Sequence, residues 1–317
     1  MEIPNTCCDR IMKNNLDEIL GEYIGGRYPE YRKAWYNAGQ DHTPAFPVHL
    51  DIELADACNQ NCTFCPRNRK THPRLPYKLN TKAILKEEWL AKMFREAEAK
   101  GLYSINIAFG EPLVYPKVFQ VIRRFHKIGV VDSRIVTNGL WLDRFYDEIF
   151  DSGLVNLYVS IDAFSEETYR KQRGRGYDMV VNNVLCFLEE RKRRNSLLPA
   201  TRVSFVETKV NRHELQAFRN FWEDKVELMD IQFYQDFNNF QTRKGAKKWH
   251  CIDPFRRVAV TANGDILPCC TFYGKLLPIG NIERDTIEDA WNSERMAGIR
   301  KALVNGSSRV CLACQEC

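Results

Sequence analysis

Three cysteines fall within one short stretch, Cys58-Asn59-Gln60-Asn61-Cys62-Thr63-Phe64-Cys65, directly behind the apolar, strand-like run Phe46 to Leu54. The spacing is C-x3-C-x2-C. A disulfide framework needs an oxidising compartment and is usual in small secreted domains. Structural zinc favours paired cysteine hooks with a fourth ligand close by. Here the next imidazole in the chain is only His72. Incidental core thiols do not sit among Asn59, Gln60, Asn61, Arg67, Asn68 and Arg69. Three adjacent thiolates do hold three corners of a [4Fe–4S] cube, which leaves the fourth iron open to bind and activate something. On spacing alone, zinc stays the alternative.

Twelve cysteines in 317 residues point to metal in a reducing cytoplasm rather than to disulfides. A formal charge of +5 is modest. Seven cluster thiolates and two cluster cores would bring it to roughly +2, which gives no reason to expect a nucleic-acid partner. Met1 to Asn15 has no apolar core of signal-peptide length. No apolar run is long enough to span a bilayer, so no membrane association is expected.

Along the chain, 1–45 reads as a helical preamble. Leu16, Ile19, Leu20 and Tyr23 keep helical spacing, and Tyr28, Tyr31 and Trp35 continue it as an aromatic stripe. Cys7 and Cys8 are assigned no function. From 46 to 235, strand-like runs at 48–54, 103–109, 132–137, 155–161, 202–208 and 229–235 alternate with amphipathic runs near 85–100, 116–128, 141–152, 166–195 and 211–223. Gly101, Gly129 and Gly153 sit where helix-ending glycines belong. Ser165, and Asn211 ahead of Glu214, read as helix starts. Six strands with helices between them predict a parallel sheet rolled into a partial (β/α)6 TIM-like barrel, with its chemistry at the C-terminal strand ends. The segment 236–317 breaks the pattern. It reads as a linker (Asn238 to Gly245), a hairpin around Asn263-Gly264, and a helix from Thr286 to Leu303.

The C-x3-C-x-aromatic-C motif behind a first strand resembles that of the radical S-adenosylmethionine (SAM) superfamily. The resemblance implies that SAM chelates the open iron, that an electron cleaves its sulfonium, and that a 5′-deoxyadenosyl radical abstracts a hydrogen atom. It also implies an external one-electron reductant of flavodoxin or ferredoxin type. Later strand ends match in order. Phe109-Gly110-Glu111-Pro112 resembles a Gly-Gly-Glu-Pro turn that meets the methionyl amine, with Phe109 in place of the first glycine. Thr137-Asn138-Gly139 resembles the family's T-N-G turn beside the cofactor. Ser160 and Asp162 stand where ribose or methionine contacts are made, and Arg173 offers a clamp for the SAM carboxylate. Ser160 and Asp162, two residues apart, are expected on one strand face.

Six more cysteines fall in the last 67 residues, and Cys251-x12-Gly264-x4-Cys269 resembles the opening of SPASM and twitch domains. The resemblance implies a small C-terminal domain with one auxiliary [4Fe–4S] cluster on Cys251, Cys269, Cys311 and Cys314, with Cys317 as alternative for either of the last two. A four-thiolate zinc knuckle is the other reading. Cys270, next to a ligand, serves either as packing or as a hydrogen-atom donor. Cys186 is expected in the core. A fully ligated second cluster suits electron acceptance, so the expected reaction is hydrogen abstraction from a carbohydrate- or aminocyclitol-like small molecule, by dehydrogenation or epimerisation. Peptide modification is the rival.

Overall fold

Two-residue alternation along the central strands decides which side of the sheet the helices cover. The computed structural model describes residues 8–12, 16–73, 79–234 and 251–307. Cys7, the 238–245 linker, Cys311, Cys314 and Cys317 lie outside the described residues. The strands are β1 (Cys8–Met12), β2 (His49–Ile52), β3 (Ser104–Ile107), β4 (Asp132–Thr137), β5 (Asn156–Ser160), β6 (Ala200–Glu207), β7 (Leu228–Phe233), β8 (Arg257–Val260), β9 (Asp265–Leu267) and β10 (Gly280–Asn281). The helices are α1 (Leu16–Ile24), α2 (Tyr28–Asn37), α3 (Glu87–Lys100), α4 (Val118–Lys127), α5 (Tyr146–Asp151), α6 (Glu166–Gln172), α7 (Tyr177–Arg193), α8 (Leu215–Trp222), α9 (Ile287–Trp291) and α10 (Glu294–Val304).

All six expected strands form, and β2 to β7 lie side by side in chain order, each parallel to the next. The sheet does not close on itself, as a partial barrel requires. Leu50, Ile52, Ile105, Ile107, Ile135, Leu157, Val159, Val203, Phe205, Met229 and Ile231 point to the helix side. They share one core with Met93 of α3, Phe125 of α4, Val184 and Phe187 of α7 and Trp222 of α8. Each such fully buried aliphatic or aromatic side chain contributes roughly 1.5–3 kcal/mol. Most of the alternate positions are polar, among them Asp51, Asn106, Asp132, Arg134, Asn156, Arg202, Ser204 and Asp230. These line the inner face.

The preamble closes the N-terminal mouth of this partial barrel. Leu20, Tyr28, Tyr31 and Trp35 pack against Val48, Tyr103, Val131, Leu198 and Ala200, which stand at or just before the starts of β2, β3, β4 and β6. Arg27 donates to the carbonyl oxygens of Gly101 (2.7 Å) and Gly129 (3.1 Å), the residues that end α3 and α4. Both glycines have the left-handed φ expected of them, as does Gly153.

Several expectations need correction. The preamble is not wholly helical, because β1 pairs antiparallel with β7 and carries Cys8. The helix expected over 166–195 is two helices. Gly174 and Gly176, with φ of 112° and 111°, break it and leave Arg173 as the C-terminal cap of the first. The 286–303 helix is also two, since Ser293 caps a fresh start after Trp291. Asn211 does not cap α8. Its side chain instead holds the carbonyls of Asp162 and Val206, both at 2.9 Å. Cys186 is exposed, not core: Val184 and Phe187 face the sheet, and a residue two positions past Val184 lies on the far side of a helix.

The hairpin forms as read, with Gly264 at φ 86° and Val260 opposite Ile266. Sequence pattern alone does not reveal that β8 also pairs parallel with β2. One continuous sheet therefore crosses the expected boundary at 235.

Candidate metal centre

The cysteine loop leaves β2 at its C-terminal end, and its own polar residues shape it. The Cys65 amide donates to the Cys62 carbonyl (3.2 Å), and the Asn68 amide to that of Cys65 (2.9 Å). Asn68 Nδ2 reaches the carbonyls of Asn61 and Cys62 at 3.2 and 3.3 Å. The Thr63 amide donates to the Gln172 carbonyl (2.8 Å), which ties the loop to the end of α6. Cys58 is exposed, Cys65 half-buried and Cys62 buried.

Gly110 and Glu111 pack directly behind the loop. The Glu111 amide donates to the Ala57 carbonyl (2.8 Å). A Cβ on Gly110 would lie 2.4 Å from that same oxygen, so only glycine fits there. Phe109, which replaces the first glycine of the resembled turn, holds φ at 80° and so keeps the glycine-like backbone with a side chain attached. That conformation costs about 1–2 kcal/mol for a residue with a Cβ.

Glu111 is buried, and its carboxylate accepts three hydrogen bonds from the protein. It accepts from the Leu113 amide (3.0 Å), Thr137 Oγ1 (2.7 Å) and the Asn138 amide (2.7 Å). Sequence reasoning gives it to the methionyl amine. The structure uses it to brace the β3 turn against the Thr137-Asn138-Gly139 turn. That brace places Asn138 beside the loop, with Nδ2 at 4.0 Å from Cys58 Sγ and 2.6 Å from Asn59 Oδ1.

Ser160 and Asp162 do not share a face. β5 ends at Ser160, and Asp162 takes a left-handed φ of 62°, which rotates its side chain away. Ser160 is half-buried at the strand end. Asp162 is fully buried, accepts from the Val206 amide (2.7 Å) and pairs with Arg173 Nη1. Burial raises the Asp162 pKa, against the lowering effect of Arg173. Arg173 in turn donates to Gln60 Oε1 from Nε (3.3 Å) and Nη2 (3.2 Å). Burial works against its charge, but Cys62, once a thiolate, and Asp162 outweigh it. Gln60, which sequence reasoning passes over, links Arg173, the Tyr169 hydroxyl (2.8 Å) and Cys62 Sγ (3.9 Å). Only its place between two cysteines hinted at this.

The donor set fits an iron–sulfur cube. Desolvation raises all three thiol pKa values, that of Cys62 to about 12, and does so at Cys58 although that residue as a whole is exposed. They therefore become thiolates readily only when a strong cation arrives. Positive groups already surround them: the Gln60 amide points to Cys58 Sγ (3.4 Å), and the Arg67 and Arg173 charges bear on Cys65 and Cys62. Asn59 Nδ2 is buried and has no partner among the described residues. A cube takes its thiolates at separate corners.

Of the second set, Cys251, Cys269 and Cys270 are described, each half-buried. A Cβ on Gly274 would lie 2.9 Å from both the carbonyl oxygen and Sγ of Cys269, so the 272–276 turn folds tightly over that thiol. Cys270 accepts from Arg257 Nη1 (3.1 Å). Arg257 stands opposite His49, at the N-terminal end of β2, whereas the cysteine loop leaves the other end.

Comparison with known proteins fits this geometry. Residues 52–199 match the model of the radical SAM superfamily, and 251–317 that of the SPASM iron–sulfur cluster-binding domain. The GTP 3′,8-cyclase of Thermodesulfovibrio yellowstonii is 29% identical over 189 residues, 59% of this chain and 55% of that protein. A probable GTP 3′,8-cyclase of Methanothermobacter thermautotrophicus is 30% identical over 123 residues, 39% of this chain and 38% of that protein. The chain thus spans about half the length, or less, of these curated relatives. Streptococcus suis SuiB bound to precursor peptide SuiA superposes with a TM-score of 0.64 at 16% identity, covering 86% of this chain and 70% of that one. BtrN in complex with AdoMet and 2-DOIA gives 0.54 at 16% identity, covering 84% and 91%. At such identities the likeness is one of fold.

Proposed function

For this chain, a radical SAM enzyme with a C-terminal SPASM iron–sulfur domain and so a user of SAM and two iron–sulfur clusters, we propose hydrogen abstraction from a small, polyhydroxylated, carbohydrate- or aminocyclitol-like substrate. When bound, the cluster and SAM supply the one-electron cleavage that generates the abstracting radical. The chain's own residues position and shield. Cys58, Cys62 and Cys65 hold the cube, and Gly110 and Asn138 shape the wall beside its open corner. Ser160 reaches the cofactor from the end of β5. Glu111 and Asp162 act as braces, and Arg173 is held ready by Asp162 and Gln60. Cys251 and Cys269, with Cys311 and Cys314 or Cys317, hold the auxiliary cluster, where the substrate electron goes. An external flavodoxin- or ferredoxin-type donor supplies the starting electron. The domains divide at about 45 and 235 on the same reading.

The inner face carries this substrate assignment. Among the described residues its side chains are mostly polar, and three of its arginines are paired with carboxylates. Arg134 pairs with Asp132 (2.6 Å), Arg202 with Asp230 (2.6 Å) and Arg257 with Asp51 (3.4 Å). A triphosphate needs uncompensated cations. Hydroxyl and amine groups need paired donors and acceptors, which this face offers. Closure of the opposite mouth by α2 also suits a small ligand better than a threaded peptide.

Oxidation is favoured over epimerisation because Cys270 is engaged by Arg257 at the end of β2 away from the cysteine loop. The test is anaerobic reconstitution and assay of 5′-deoxyadenosine against aminocyclitols, sugars, GTP and peptides in deuterated water. A sugar-class substrate giving a ketone without solvent label is the expected result. Turnover of GTP or a peptide alone overturns the substrate class. Solvent deuterium retained at carbon overturns oxidation.

A further inference from the structure

Two buried carboxylates and two half-buried cations at the stem of the cysteine loop belong to none of the motifs above. Asp56 lies two residues before Cys58 and Arg67 two after Cys65. Arg67 closes the stem: Nη1 pairs with the Asp56 carboxylate and Nη2 donates to the Asp56 carbonyl (2.9 Å). The second Asp56 oxygen accepts from the Asn80 amide (2.7 Å). Glu53, fully buried, stands 3.8 Å from Arg67 and accepts from the Ala262 amide (3.2 Å). It also accepts from Lys275 Nζ, at 3.1 and 3.3 Å. Lys275 rides on the turn that follows Cys269. Its Nζ lies 5.6 Å from the Phe272 ring centre and 5.7 Å from that of Phe109, and the two rings meet edge to face at 6.4 Å. Two carboxylates and two cations thus form one balanced group that touches both cysteine-bearing segments.

We propose that Lys275 and Glu53 are positioning residues that couple the two cysteine sites. Seating the turn after Cys269 orders the 58–65 loop, and ordering the loop seats the turn. In a low-dielectric interior such a network is strong when complete, and heavily penalised when one member is removed. Without Lys275, Glu53 and Asp56 compete for Arg67. That draws the guanidinium from the loop stem. The effect runs both ways, because a coupling free energy between two sites is reciprocal. The coupling resides in the polypeptide and does not depend on the substrate class.

Amide hydrogen exchange on the reduced, iron-free chain of 317 residues tests it. Lys275→Met is expected to speed exchange over 56–68 by about tenfold or more, with α7 changed by less than about twofold as the internal reference. Glu53→Gln is expected to speed exchange over 269–276 in the same way. Lys275→Arg is expected to restore the slow pattern. In the reconstituted holoenzyme, Lys275→Met is expected to alter the electron paramagnetic spectrum of the reduced first cluster, and Lys275→Arg to return it. Acceleration confined to 269–276 in Lys275→Met overturns the coupling. So does equal acceleration in α7, which marks global loss of stability, and so does failure of the arginine variant to rescue. Because the exchange arm needs no iron, failure of the cluster reading and failure of the coupling are told apart.

Discussion

The two ends of β2, a strand of four residues, treat their polar groups in opposite ways. At the N-terminal end His49 is sealed in. Its Nδ1 meets Ser104 Oγ at 2.7 Å, and Ser104 donates onward to Asp132 (3.0 Å). The Trp35 ring stands edge-on to the imidazole at 5.6 Å, with the Arg256 and Arg257 guanidinium groups 3.9 and 5.0 Å from the centre of that ring. Everything there is turned toward its neighbours. At the C-terminal end, backbone carbonyls and the side chains of Asn68, Gln60 and Arg67 fix the shape of a loop, while three thiols are left for something else to bind. In barrels the C-terminal strand ends carry chemistry and the N-terminal ends carry stability. This strand shows the contrast: at one end the polar side chains are packed against one another, and at the other three thiols are held out by a loop that is braced without them.

The sharpest way to break that contrast is to remove a thiol at each cysteine site. Cys58→Ala should drop 5′-deoxyadenosine formation to background while iron at the C-terminal site remains. Cys269→Ala should leave reductive SAM cleavage measurable and stop substrate turnover. Cleavage surviving in Cys58→Ala would remove the reason for calling the C-terminal end of β2 functional.

Next in size is the wall behind the loop. Gly110→Ala drives a Cβ to 2.4 Å from the Ala57 oxygen, a backbone atom that cannot swing aside. A loss on the order of 3 kcal/mol in denaturant unfolding is expected, with the loop displaced even where the chain folds. Phe109 gives a finer version. Its φ of 80° suits glycine, so Phe109→Ala keeps the strain and loses the ring, whereas Phe109→Gly loses both. The glycine variant should therefore be the more stable of the two by about 1 kcal/mol, the reverse of the usual order. Equal stabilities would mean that the positive φ carries no strain.

What the sequence discloses follows how local its cause is. The six strands, the hairpin at Asn263-Gly264 and the helix ends at Gly101 and Gly129 depend on neighbouring residues, and they are legible. The cysteine loop is legible because its spacing is itself the chemistry. The pairing of β8 with β2 joins residues some two hundred positions apart, and no short pattern encodes it. The role of Asp162 is hidden for another reason. Its facing was inferred by extending strand alternation one residue too far, and one left-handed residue undoes such an inference. Gln60 and Asn68 read as mere polarity around the thiols, because a side chain that bonds its own loop leaves no periodic signature. The break at Gly174 and Gly176 was visible as two glycines, but the apolar spacing on either side outweighed them.

The smallest effect probes the sealed end. Burial lowers the His49 pKa from its usual value near 6.5, and the nearby Asp51 carboxylate, 3.4 Å from Nε2, does not offset it. Arg257 and Arg134 push in the same direction as burial. The folded chain therefore keeps His49 neutral at a pH where the unfolded chain has taken up a proton. The stability this contributes is complete above pH 6.5 and is lost as the pH falls from there toward the folded pKa, with a slope of at most about 1.4 kcal/mol per pH unit. His49→Asn removes the titration and keeps a partner for Ser104. Its melting temperature should be lower than that of the parent at pH 7.5, and the gap should narrow between pH 6.5 and 5. Reductive cleavage of SAM per folded molecule at pH 7.5 should stay unchanged. If it fell with the stability, the two ends of β2 would not be separate in function, and the N-terminal end would have to be counted as part of the reacting site.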